Sequence, residues 1–258
     1  MFNKTVQMIT VALIFYSPLS NAEERVFDKV ENILIVNLSG DIDLMPYSGS
    51  KISIISTNLN DYDFSQQNGE LTLTQKPNSS TSYQNGSISI VNSGNNNVSN
   101  VTIGGSTISG KHSKIEKLSI KIPSKIIPIK IENVSGQFQI GDLNSPLLIT
   151  LNSGNFQIGK ISDLNLTING AGSVVLHENV VTAILKIQGT GDFKSNADIE
   201  KLDVSINGTG NVKIDGTVTS AKIVSEGIGN IKINKLLNKP NITNSGIGSI
   251  EISNKQYR

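Results

Sequence analysis

The sequence predicts an all-β chain: a parallel β-helix (solenoid) with rungs of 18–19 residues, preceded by less regular β-structure. Three observations predict it. One phrase recurs seven times between Asn133 and Ser253: Val134-Ser-Gly-Gln-Phe-Gln-Ile, Asn152-Ser-Gly-Asn-Phe-Gln-Ile, Gly170-Ala-Gly-Ser-Val-Val-Leu, Gly189-Thr-Gly-Asp-Phe-Lys-Ser, Gly208-Thr-Gly-Asn-Val-Lys-Ile, Gly227-Ile-Gly-Asn-Ile-Lys-Ile and Gly246-Ile-Gly-Ser-Ile-Glu-Ile. Its shared glycines, Gly136, Gly154, Gly172, Gly191, Gly210, Gly229 and Gly248, follow one another at 18, 18, 19, 19, 19 and 19 residues. So even a period marks one supersecondary unit stacked on its copies. Apolar residues then return at the second and fourth positions after each Gly, the period-two signature of a strand with one buried face. Finally, no amphipathic stretch is long enough for a crossover helix.

The two apolar columns read Phe138, Phe156, Val174, Phe193, Val212, Ile231, Ile250 and Ile140, Ile158, Leu176, Ser195, Ile214, Ile233, Ile252. A third lies six residues before the Gly, in Leu148, Leu166, Leu185, Val204, Ile223 and Ile242. Each rung therefore holds at least two strands, with the shared glycines at the corners between them, where positive φ or close backbone approach is needed. Five Gly-x-Gly pairs also invite a nucleotide-binding reading, but that loop must join a strand to a helix. None is available here.

Taken in order, residues 1–22 have the form of a secretory signal. Lys4 supplies the basic start, Val6 to Tyr16 is mostly apolar, and Ser20 and Ala22 give a small-residue cleavage site before Glu23. The apolar run is short for a membrane anchor, and the chain has no Cys for a lipid anchor. From residue 23 to 133 an irregular β region is expected. Ile33-Leu-Ile-Val leads into Leu38-Ser-Gly-Asp-Ile-Asp-Leu, an early echo of the repeat phrase, and Asn68-Gly69 marks a tight turn between strands. Asp61 and Asp63 share a strand face but have no further acidic neighbours in sequence, so they are read as solvated. Residues 76–114 form an insert rich in Asn, Ser, Gly and Thr, a composition that buries little. It contains His112 and a stretch from Val101 to Ile108 with strand alternation. Pro123 and Pro128 mark strand ends on the way into the regular repeats at 134–253. Residues 254–258 are a polar, basic tail.

Composition narrows the function. The chain has 258 residues, a formal charge of +1, no cysteine and no tryptophan. Near-neutral charge argues against nucleic acid as a partner, and thiolate metal sites and disulfides are absent. Glycoside hydrolysis needs two facing carboxylates. Asp192, Asp198, Asp203 and Asp215 fall at different rung positions, and His177 has no evident acidic partner. No catalytic residue, cofactor or metal ligand is expected. One column does stand out. The third position after the shared Gly reads Gln139, Gln157, Val175, Lys194, Lys213, Lys232 and Glu251. Three consecutive lysines would stack about 5 Å apart on the outer face. They either keep a flat sheet soluble or offer a line of positive charge to an anionic polymer.

The opening Phe27-Asp-Lys-Val, then Gly40-Asp-Ile-Asp-Leu, Asn68-Gly-Glu-Leu-Thr-Leu and the recurring Gly-x-Gly-Asn/Ser-hydrophobic phrase resemble a bacterial family described as "putative auto-transporter adhesin, head GIN domain". The resemblance runs from Phe27 to Ile252. It implies a right-handed β-helix in an exported protein and brings no catalytic motif. The chain contains no series of translocator barrel strands, so the auto-transporter part of that description does not carry over. The expected function is thus an exported, non-catalytic envelope or cell-surface binding module, with a surface glycan or envelope protein as partner. The alternatives are a periplasmic structural or assembly protein and, less favoured, a carbohydrate-active β-helix enzyme.

Overall fold

The computed structural model describes residues 22–76, 100–103, 106–109 and 117–256. The signal-like segment up to residue 21, His112 and most of the Asn/Ser/Gly-rich insert lie outside the described residues. The described chain is nearly all strand, with one short 3-10 turn at Leu59–Asp61.

The chain opens with β1 (Glu23–Phe27), β2 (Asn32–Val36), β3 (Ser39–Tyr47), β4 (Ile52–Ser56), β5 (Tyr62–Gln67) and β6 (Glu70–Gln75). Asn68 and Gly69 join β5 to β6 with φ of 49° and 79°, the paired positive values that a tight hairpin demands. Two strands within the insert, β7 (Asn100–Ile103) and β8 (Ser106–Ser109), pair antiparallel. Then β9 (Lys117–Pro123) ends at one proline, and β10 (Ile129–Ile140) begins just after the other. The regular part continues through β11 (Leu147–Ile158), β12 (Asp163–Leu176), β13 (Val180–Ile187), β14 (Thr190–Ser195), β15 (Ile199–Ile206), β16 (Thr209–Ser225), β17 (Ile231–Leu236), β18 (Asn241–Asn244) and β19 (Ile250–Lys255). The last strand extends into the segment expected as tail.

Stacking is parallel and in the expected register. Phe138 pairs with Phe156, then Val174, Phe193, Val212, Ile231 and Ile250 follow rung by rung. The echo at Leu38–Leu44 is a full member of this ladder: Gly40 faces Gly136, Ile42 faces Phe138 and Leu44 faces Ile140. The first rung is therefore β2–β3, and the whole is a β-solenoid of about 7 turns. About eighty residues intervene between this rung and its neighbour β10, because β4 to β9 are inserted at its far side. There β9 continues the parallel ladder on β3 and β6 continues it on β2. Beyond them the pattern changes: β4 lies antiparallel to β9, β1 to β4, and β5 to β6.

The interior is aliphatic. Phe156, Val174, Phe193, Leu176 and Ile233 are completely buried, and the rings of Phe138 and Phe156 stack at 4.3 Å and 4°. Rings of neighbouring rungs lie face over face because the ladder fixes their spacing. A further core column, Val180, Ile199, Val218 and Leu236, lines the third side of each rung. One expected core residue moves out: Leu148 is half-exposed beside Asn165, and Ile149 takes the core place opposite Leu166. The register shift between Leu151 and Ser153 causes this, since β12 carries an extra residue at the bend that simple spacing from the Gly does not count. Buried hydroxyls are satisfied. Ser145 Oγ accepts from Ile127 N–H at 3.0 Å, and Ser195 Oγ, in the middle of an aliphatic column, accepts from Ala197 N–H at 3.1 Å.

Gly136, Gly154 and Gly172 sit inside long strands, Gly191 and Gly210 are the second residues of β14 and β16, and Gly229 and Gly248 lie in the bends between strands. Gly136, Gly154, Gly229 and Gly248 have φ between 122° and 158°, whereas Gly172, Gly191 and Gly210 lie outside the positive-φ set. At Gly210 the requirement is closeness of the neighbouring rung. A Cβ there would run into the carbonyl oxygen of Gly191 and lie 2.9 Å from its carbonyl carbon.

Candidate functional site

The surface built most regularly is the flat outer face of the ladder that follows the shared Gly. Alternation along each strand sends the second and fourth positions inward and the first and third outward. Two outward columns result.

The first column is a hydrogen-bonded polar ladder. Asp192 Oδ1 accepts from Asn211 N–H and from Asn211 Nδ2, both at 3.0 Å. Asn211 Oδ1 accepts from Asn230 N–H at 3.1 Å, and Asn230 Oδ1 accepts from Ser249 N–H at 3.0 Å and from Ser249 Oγ at 2.9 Å. Each side chain thus ties its rung to the next. Sequence reading passed over this ladder, although the run Asp, Asn, Asn, Ser directly after the shared Gly was visible. A second set works the same way on the adjoining turn: Asn179 Oδ1 accepts from Asp198 N–H at 2.8 Å and Asp198 Oδ1 from Thr217 N–H at 2.6 Å.

The other column holds the lysines. Val175 pairs with Lys194, Lys194 with Lys213, Lys213 with Lys232 and Lys232 with Glu251. Their ammonium groups are not equivalent. Lys213 Nζ lies 2.7 Å from Asp215 on its own rung, and Lys232 Nζ lies 3.2 Å from Glu251 on the next. Lys194 is exposed and makes no ion pair among the described residues. Towards the N-terminal rungs the column turns neutral, with Gln139 stacked on Gln157 and Gln157 Oε1 held by His177 Nε2 at 2.7 Å.

The carboxylates weighed for catalysis are each engaged in the ladders or in pairs. Asp192 and Asp198 serve backbone N–H groups, Asp203 lies 4.0 Å from Lys222, and Asp215 faces Lys213. Asp63 pairs with Lys76 at 3.4 Å. Among the described residues no three His, Asp or Glu side chains gather as metal ligands. Shallow concavities lie elsewhere among the described residues. One, against β1 and β5, is lined by Arg25, Tyr62, Asp63, Phe64 and Lys76, with Arg25 over the Phe64 ring at 4.9 Å. Another is an apolar groove along Pro128, Pro146, Leu148 and Ile184. No helix among the described residues is long and apolar enough to cross a membrane.

Comparison with known proteins agrees with this architecture. The chain is similar in fold to the crystal structure of a "putative adhesin" from Bacteroides fragilis NCTC 9343, at 18% identity and a TM-score of 0.59, covering 91% of this chain and 98% of that one. A "putative adhesin" from Parabacteroides merdae ATCC 43184 aligns at 13% identity and a TM-score of 0.47, covering 91% and 95%. A "putative lipid binding protein" from Parabacteroides distasonis ATCC 8503 aligns at 15% identity and a TM-score of 0.41, covering 92% and 97%. No curated protein matches the chain. Residues 164–257, the regular rungs from β12 onward, match the family described as "Putative auto-transporter adhesin, head GIN domain", the family that the repeat phrase indicates.

Proposed function

We propose that the protein is an exported, non-catalytic binding module of the cell envelope or cell surface. Its ligand would lie along the flat face carrying Lys194, Lys213 and Lys232, and the ligand class is a linear anionic polymer such as an acidic polysaccharide. The observation that carries this reading is the stacking of the three lysines on successive rungs, in register and facing solvent. Repeated weak contacts along one polymer add up through effective concentration. The polar ladder beside them ties each of these rungs to the next. The description of the matched family as an adhesin supports binding over catalysis, and the signal-like residues 1–22 support export with cleavage before Glu23.

Asp215 and Glu251 partly neutralise the column, so affinity should be modest and sensitive to salt. The test is binding of the purified protein to acidic glycans at low and moderate salt. Changing Lys194, Lys213 and Lys232 together to Gln should weaken binding by about tenfold while leaving the thermal melt in place. Equal binding by wild type and variant, or none at any salt, would leave the lysines as a solvated face only. A periplasmic structural or assembly role is the second reading, and the open strand edges at the two ends of the solenoid favour it. Protease accessibility on intact cells separates the two locations.

A further inference from the structure

Charge is segregated along the axis. From Gly227 to Gln256 the sequence has four basic residues and one acidic residue, whereas from Glu23 to Lys76 it has nine acidic and four basic. The whole chain nevertheless carries only +1. The two segments lie at opposite ends of the ladder, and each end leaves strand edges open.

At the C-terminal end, β18 pairs only with β16 and β19 only with β17, so one edge of each is free among the described residues. All four residues of β18 are exposed. Ile242 is 42% exposed although its neighbour in the column, Ile223, is fully buried, because no rung covers it. Ile228 and Ile247, stacked on each other at the bend, are 52% and 72% exposed. The last two rungs also carry Lys235 on β17, the exposed Lys239 between β17 and β18, and the exposed Lys255 on β19. Lys255 takes the position that Leu236 fills one rung earlier, a charge set over the open core.

At the other end, β1 pairs only with β4 and β5 only with β6. The outer strand β1 carries Glu23, Glu24 and the half-exposed Val26, and β5 carries Asp63. Most cations there are engaged: Arg25 covers Phe64, Lys76 holds Asp63 and Asn60, Lys51 lies 3.6 Å from Asp28, Lys117 of β9 lies 2.7 Å from Asp43 and Lys125 Nζ donates to the Val30 carbonyl at 2.9 Å, while Lys29 is exposed.

We propose that the two ends dock on each other, the basic C-terminal edge of one copy against the acidic N-terminal edge of a second copy. A free strand edge is a template for another strand, and opposite charge steers the encounter and sets its polarity. The contact is heterologous, because the two faces differ, so repetition gives an open head-to-tail chain unless the rotation closes. An anionic lipid surface would also suit the lysines and isoleucines. It would leave the N–H and C=O groups of β18 and β19 without partners in an apolar medium, which a second strand edge would not.

Sedimentation of the purified protein over a range of concentrations tests the proposal. Wild type should form oligomers that grow with concentration and dissociate as salt is raised. Lys235→Glu/Lys239→Glu/Lys255→Glu makes both ends acidic, and Glu23→Lys/Glu24→Lys/Asp63→Lys, which leaves six acidic and seven basic residues from position 23 to 76, makes the acidic end basic. Each variant alone should stay monomeric, and an equimolar mixture of the two should assemble again, since every junction then joins opposite charges. Restoration on mixing cannot come from misfolded variants. A wild type that is monomeric at every concentration and salt overturns the proposal, as does assembly that the lysine variant leaves unchanged. Binding of a strictly monomeric wild type to phosphatidylglycerol vesicles, lost in the lysine variant, overturns it in favour of a lipid surface.

Discussion

Ile214→Asp is expected to remove most of the stability of the solenoid, and Lys213→Asp, one residue away, to remove little. Ile214 is completely buried between Ser195 on one rung and Ile233 on the next. The substitution deletes a packed aliphatic side chain and leaves a carboxylate with no cation in the column. The combined cost should be at least about 4 kcal/mol. Lys213 points outward, and losing its pair with Asp215 should cost less than about 1 kcal/mol, because exposed ion pairs contribute little. Thermal melts of the two variants beside wild type check the contrast. Similar midpoints would mean that the inward and outward positions have been exchanged.

Gly210→Val should have the second largest effect. Positive φ is not the reason at this position, since Gly210 lies outside that set. The side chain would instead have to occupy the space of the neighbouring rung's backbone at Gly191. Backbone cannot rotate aside as a side chain can, so the rungs must separate and lose ladder hydrogen bonds. A loss of more than about 2 kcal/mol is expected, the upper range for overpacking. Gly210→Ala should already account for most of it, because the first carbon makes the clash. A denaturant midpoint for Gly210→Ala close to wild type would show that the rungs have room to spare.

The same glycines show how far sequence reading reaches. Their 18- and 19-residue spacing gave the rung, its parallel stacking and the inward columns through Phe138 and Ile140, because each rung repeats one environment at one place. The column through Val180, Ile199 and Val218 was equally periodic but lies on the third side, where a single apolar residue per rung gives no alternation to detect. Leu148 was misplaced because a bulge breaks the count between the Gly and the preceding strand. The rung at Leu38–Leu44 was visible only as an echo, since strands β4 to β9 separate it from β10. Nor could the sequence distinguish the antiparallel strands β1, β4 and β5 from further rungs, because alternation is the same in both. Of the candidate site, the lysine register was legible. The carboxylates that partly neutralise it were not: whether Asp215 reaches Lys213 depends on side-chain geometry that spacing does not contain. The polar ladder from Asp192 to Ser249 was hidden for a similar reason, since its bonds join side chains to the backbone of another rung.

That stacking of outward residues on successive rungs underlies both the fold and the proposed ligand face, and it can be measured directly. The chain has no native cysteine, so Lys194→Cys and Lys232→Cys can each be labelled with a nitroxide, singly and together. Two rungs separate these positions, and their backbones should lie about 10 Å apart. The doubly labelled protein should therefore show strong dipolar broadening that neither singly labelled protein shows. A double-label spectrum equal to the sum of the two single-label spectra would contradict the stacked register.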